Sequence, residues 1–150
     1  MSTDAHHLDP NTLARLVVDA LERTAFVLAD PCDEPEQLPP ADTFAQIDFS
    51  GPTKGSVELL ASRDFAKNLA ASILGTDAAQ VTDLQSEEAL RELANIVGGS
   101  VITALGGSDC RFSLGLPRLG RAQATGDDTM CVLDAEGQRL EVHCHHARAA

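Results

Sequence analysis

The chain has 150 residues, 43% of them hydrophobic, which is enough apolar material for one domain with a substantial core. Its formal net charge of −12 is opposite to the basic footprint that a phosphate backbone or an anionic membrane surface requires, so neither nucleic acid nor membrane is an expected partner. No apolar run approaches the ~18–20 residues of a membrane-spanning helix, and "MSTDAHHLDP" lacks the basic start and apolar middle of an export signal, so the expected location is cytoplasmic.

A single domain is expected over residues 1–150, with 1–8 as a mobile tail. Asp9-Pro10 supplies an N-cap and a proline at the first helical position. Leu13, Leu16, Val17, Ala20, Leu21, Val27 and Leu28 then recur near helical spacing, and Pro31 is the expected stop. The stretch "PCDEPEQLPPAD" (31–42) has four prolines and several acids and reads as a stiff, exposed connector within the domain. "TFAQIDF" alternates Ala45, Ile47 and Phe49 against Gln46, Asp48 and Ser50, while "GSVELLAS" alternates Val57, Leu59 and Ala61 against Glu58, Leu60 and Ser62. The turn "SGPTKG" joins the two into a hairpin.

Ser62 is placed to cap a short helix ending at Gly75, with Phe65, Ala66, Leu69, Ala70 and Ile73 on its buried side. A turn, "GTDAAQVTD", leads to the longest amphipathic segment, "SEEALRELANIVGGSVITALGG", for which a helix over 86–105 is expected. At 100° per residue, Leu90, Leu93, Ala94, Val97, Val101, Ala104 and Leu105 fall within about 60° of one direction. Relative to Leu90, Asn95 lies at about 140°, Glu88 at about 160°, Gly99 at about 180° and Glu92 at about 200°. Two carboxylates, a carboxamide and a glycine thus share one outward ridge. A solvated helix face would explain the polar residues, but each interior glycine costs roughly 0.5–1 kcal/mol relative to alanine, so Gly98 and Gly99 call for a reason beyond helix stability.

The remainder reads as three or four short strands. "RFSLGLP" places Phe112, Leu114 and Leu116 on one face; "RLGRAQAT", "TMCVLDA" and "QRLEVHC" follow, with turns at 126–128 and 134–138. Gly106-Gly107 is read as the helix terminator, and no phosphate-cradling glycine loop surrounds either glycine pair. The order of elements predicts an α+β domain, an antiparallel β-sheet covered by long α-helices. Cys32, Cys110, Cys131 and Cys144 form no C-x-x-C pair and are expected as buried free thiols. His143 and His145, on the outward side of the last strand, with His146 could hold a metal, but without an evident fourth ligand a solvated strand end is the plainer reading, and no metal site is expected. Arg111, Arg118 and Arg121 are read mainly as solvated strand residues.

"EALRELANIVGGSVITALGG" resembles the signature helix of the CheC/CheX family of chemotaxis phosphatases, whose hallmark is E-x-x-N on a long exposed helix. Glu92 and Asn95 fill that motif, Glu88 stands at the upstream position where Asp or Ser is more typical, and Pro117 lies near the family's downstream proline. Family members with two sites have a second E-x-x-N in an earlier helix; here "DALERTAFVLAD" has Glu22 but Ala25 in place of the Asn, so the chain is more similar to the single-site, CheX-like type. The resemblance implies hydrolysis of the aspartyl phosphate of a CheY-like receiver domain, the phosphorylated response regulator. Glu92 would pair with the receiver's lysine and Asn95 would position the attacking water, with Glu88 and Gly99 at the partner contact. It implies no cofactor bound by this chain and Mg²⁺ held in the partner receiver; it is also compatible with a homodimer through sheet edges. A non-catalytic module that binds a receiver or another signalling protein through the same ridge is the alternative, and a structural subunit related to flagellar-switch proteins is a third, less favoured reading.

Overall fold

The computed structural model describes residues 8–106, 111–120 and 127–146. Helix α1 (Pro10–Ala25) begins where the sequence places it: the Asp9 carboxylate accepts a hydrogen bond from the Thr12 amide at 2.8 Å. It stops at Ala25, before the expected Pro31, because Phe26 turns left-handed (φ 55°) and the Phe26 and Val27 amides donate back to the carbonyls of Glu22 and Leu21. Beyond that cap, burial alternates every second residue. Val27 and Ala29 enter the core while Phe26 and Leu28 are exposed, so Leu28 does not belong to the helical stripe. Leu8, at the end of the expected tail, is buried; residues 1–7 lie outside the described residues.

Strand β1 (Asp30–Pro31) is followed by a 3₁₀ turn at Pro35–Gln37, so the proline-rich connector has local structure of its own. The Arg139 guanidinium ties this segment to the sheet by donating to the carbonyls of Pro39 (2.8 Å) and Pro35. Strands β2 (Thr43–Ser50) and β3 (Gly55–Ala61) form the expected hairpin. Helix α2 (Arg63–Leu74) ends at left-handed Gly75 (φ 70°), but Ser62 makes no capping bond with its side chain. Its hydroxyl instead donates to Gln138 Oε1 at 2.8 Å. After a 3₁₀ turn (Ala78–Gln80) comes α3 (Asp83–Gly106), then β4 (Ser113–Leu114), β5 (Arg118–Leu119), β6 (Asp127–Ala135) and β7 (Gln138–His146).

The strands form one antiparallel sheet in the order β1-β6-β7-β3-β2-β4, with β5 also paired to β2. This is the expected α+β arrangement, with the helices on one face. Register puts Ile47 opposite Val57 and Val57 opposite Cys144, so Ala45, Ile47, Phe49, Leu59, Leu140 and Val142 share the inner face and are buried under the helices. Phe112 closes one end of this core with an edge-to-face contact on Phe49 (5.7 Å between centroids).

Three further expectations change. The strand expected over 111–117 reduces to β4, and Leu116, 86% exposed, is not part of the core. Asp127 and Asp128, expected in a turn, lie in β6, opposite His146 and His145. The β6–β7 hairpin closes within the expected 134–138 turn, at Glu136-Gly137, both with positive φ (56° and 89°), a pairing that suits the twist of a two-residue turn. The outer sheet face is not simply solvated: Gln46, Glu58, Leu60, His143 and His145 are all buried. Gly107, Cys110, Arg121 and Gly126 lie outside the described residues.

Candidate functional site

Helix α3 starts three residues earlier than expected because of a reciprocal cap. The Thr82 hydroxyl accepts from the Gln85 amide (3.1 Å) and the Gln85 side-chain carbonyl accepts from the Thr82 amide (2.9 Å). Downstream, Leu90, Leu93, Ala94, Val97, Val101 and Leu105 are buried as the helical period requires; at the far end Ile102 is buried and Ala104 exposed, the reverse of the expected pair.

The two interior glycines separate cleanly. A methyl group at Gly98 would lie 2.9 Å from Ile47 Cγ2 and 3.1 Å from Leu114 Cδ2, so this glycine lets the helix backbone settle directly on β2. At Gly99 a methyl group would meet nothing within 4 Å. Packing therefore explains Gly98 and leaves Gly99, which lies on the outward side, unexplained by the fold.

On that side Glu88, Glu92 and Asn95 are exposed and Gly99 is partly exposed. The one-turn spacing expected from the sequence holds, so the Glu92 carboxylate and the Asn95 carboxamide are brought to one face. No hydrogen bond or ion pair engages either side chain among the described residues. A carboxamide has no useful acid–base chemistry, but it can hold a water through its donor and acceptor together, while the carboxylate can receive a cationic group.

Beside the ridge lies a groove between α2 and α3 lined by Ala70, Ile73, Leu74, Glu88, Ala89 and Glu92. Ile73 and Leu74 are each 48% exposed, so Ile73 is not on the buried side of α2 as expected.

Other candidates fall away from this ridge. The side chain of Arg118 is half exposed and pairs with Asp48 at 3.1 Å, on the far face of the sheet. Glu22 is exposed but Ala25 is buried, so the α1 counterpart of the motif lacks the amide and presents no equivalent position to solvent. Cys144 is buried, whereas Cys32 and Cys131 are only partly buried. Burial pushes the Cys131 and Cys144 thiols up to about 12, so neither is a thiolate nucleophile at neutral pH. Among the described residues, no helix is long and apolar enough to cross a membrane.

The family model described as "Chemotaxis phosphatase CheX" matches residues 43–125, a stretch from the start of β2 through α3 and past β5. No curated protein matches the chain. Among solved structures, the chain is similar to the chemotaxis protein CheX of Vibrio vulnificus (TM-score 0.74, 15% identity, covering 91% of this chain and 94% of that one). It is also similar to a CheX–CheY–BeF₃–Mg²⁺ complex from Borrelia burgdorferi (TM-score 0.65, 13% identity, 91% and 96% covered). The FliY protein of Thermotoga maritima is similar as well (TM-score 0.61, 11% identity, 98% and 92% covered). At such identities the likeness establishes architecture alone.

Proposed function

The chain belongs to the CheX family of chemotaxis phosphatases, and on that premise we propose that it hydrolyses the aspartyl phosphate of a CheY-like response regulator through Glu92 and Asn95. The observation that carries this reading is the pairing of an exposed carboxylate and an exposed carboxamide one turn apart on a helix whose opposite side is fixed to the sheet. In the proposed complex α3 lies across the receiver's active site, and Glu92 pairs with the receiver's lysine. Asn95 enters the site and orients a water in line with the phosphorus. Water attacks, the bond between phosphorus and the aspartyl oxygen breaks, and inorganic phosphate and a free aspartate result.

Such a reaction depends on positioning and charge neutralisation more than on covalent help. The receiver supplies the phosphoryl group, its lysine and Mg²⁺, so this chain contributes geometry and needs no nucleophile. Gly99, free of any packing duty, gives the receiver close access to the ridge, and Glu88 lies along the same contact. The Borrelia CheX relative is in complex with CheY, BeF₃ and Mg²⁺, which supports a receiver as the partner class.

A second reading, docking without hydrolysis, draws on the exposed Ile73 and Leu74 beside Glu92: they offer apolar area to a partner whether or not water is activated. Timing the loss of acyl phosphate from phosphorylated receiver domains with Mg²⁺, with and without this protein, separates the two. Accelerated release supports the phosphatase; binding of a receiver with no acceleration leaves only the docking module.

A further inference from the structure

On the sheet face turned away from the helices, β6 and β7 bring Asp128, His143 and His145 together. Asp128 and His145 are direct cross-strand partners, and His143 lies two residues before His145 on the same face. Both imidazoles are buried, with exposures of 8% and 9%, and stack with their centroids 5.8 Å apart. Each ring has a carboxylate near both of its nitrogens. His143 Nε2 lies 2.7 Å from Glu141 Oε2 and His145 Nε2 lies 2.9 Å from Glu58 Oε1. The two Nδ1 atoms converge on one carboxylate, Asp128, at 3.2 Å and 3.6 Å.

A neutral imidazole has a single N–H. If each ring donates from Nε2 to its own glutamate, both Nδ1 lone pairs point at the oxygens of Asp128, a repulsive arrangement unless something positive lies between them. One divalent ion satisfies both rings and the aspartate at once. We infer that Asp128, His143 and His145 form a binding site for a divalent transition metal of the Zn²⁺ class, coordinated by the two Nδ1 atoms and the Asp128 carboxylate.

The three donor atoms lie within 4.8 Å of one another. Tetrahedral coordination with bonds of 2.0–2.2 Å places ligand atoms about 3.3–3.5 Å apart, so the Asp128–histidine separations already fit and small ring rotations close the set. Imidazole donors select Zn²⁺, Ni²⁺ or Cu²⁺ over Mg²⁺ and Ca²⁺. The outer contacts are those of a built site: Glu141 and Glu58 fix ring orientation and tautomer from behind, and Arg139 in turn holds Glu141 at 3.1 Å. Asp128, whose side chain is 40% exposed, leaves a side open for the ion to enter and for water to complete its shell. The histidines are outward as the sequence pattern expects, but the donor set depends on Asp128 lying in β6 rather than in a turn and on a strand end that is covered rather than solvated.

The test is titration of the chelator-stripped, full-length protein with Co²⁺ and with Zn²⁺, followed by visible absorption and by thermal melting. The expected result is one equivalent of Co²⁺ with a ligand-field spectrum of histidine and carboxylate coordination, displaced by Zn²⁺, and a metal-dependent rise in Tm. Asp128→Asn, nearly isosteric and at an accessible position, should weaken binding at least tenfold with an unchanged circular dichroism spectrum. Glu141→Gln should weaken it ten- to a hundredfold without removing a ligand. Replacing His6 and His7 by alanine should leave binding intact. No binding at 0.1 mM metal (about −5.5 kcal/mol at most), or binding that persists in Asp128→Asn and His145→Gln but vanishes with His6 and His7, would overturn the assignment.

Discussion

The outward ridge of α3 and the outer face of the sheet are both polar surfaces turned away from the core, yet they are organised in opposite ways. On the sheet, Glu58, Glu141, His143 and His145 are enclosed or nearly so, and every one has a polar or charged partner within 3 Å or slightly more. On α3, Glu88, Glu92 and Asn95 are exposed, and Glu92 and Asn95 have no partner among the described residues. Removing a polar group from water costs several kcal/mol unless its hydrogen bonds are replaced, so a covered polar face must pair internally. An exposed face has no such obligation, and its hydrogen-bonding capacity remains available to a second molecule. The sheet face uses most of that capacity within itself, apart from the donor atoms gathered at Asp128, whereas the helix ridge has kept it.

Substitutions on the two sides of α3 sharpen this contrast. For binding and folding, the largest effect is expected from Glu92→Ala, which should weaken binding to a beryllofluoride-loaded receiver by about 1.5–3 kcal/mol through loss of a charge-assisted contact. Its effect on folding stability should stay within about ±0.5 kcal/mol, measured by urea denaturation. Gly98→Ala should act the other way round: forcing a methyl group against Ile47 should cost about 1–3 kcal/mol of folding stability. Equal stability of Gly98→Ala and the parent would mean that the helix does not rest on β2 as described. The smallest effect belongs to Gly99→Ala, which should raise stability by about 0.5–1 kcal/mol through helix propensity while weakening receiver docking. If Gly99→Ala binds the receiver as well as the parent, close approach at this point is not used.

Much of this was legible in the sequence because period and capping are local. Leu90, Leu93, Val97 and Val101 repeat at helical spacing, Asp9-Pro10 marks the start of α1, and Gly75 marks the end of α2; each is settled by neighbours a few residues away. The ridge was legible for the same reason, since Glu92 and Asn95 are fixed relative to each other by one helical turn. What escaped depended on distant strands. Alternation correctly assigned Glu58, His143 and His145 to the outer face, but whether that face was wet depended on β3, β6 and β7 lying side by side, which no local pattern states. Gly98 likewise needed the position of Ile47, 51 residues earlier in the chain, to be understood. The left-handed Phe26 that ends α1 has no glycine signature, and its conformation is set by the pull of Val27 and Ala29 into the core.

The central claim is that Asn95 orients the attacking water, and it is tested most directly by single-turnover dephosphorylation of a phosphorylated CheY-like receiver with saturating Asn95→Ala protein. Loss of a positioned polar group of this kind should lower the rate constant by about 2–4 kcal/mol in activation free energy, roughly thirtyfold to a thousandfold, with folding and affinity for the beryllofluoride-loaded receiver little changed. An Asn95→Ala protein that releases phosphate at the parental rate would contradict the account, even if it still bound the receiver tightly.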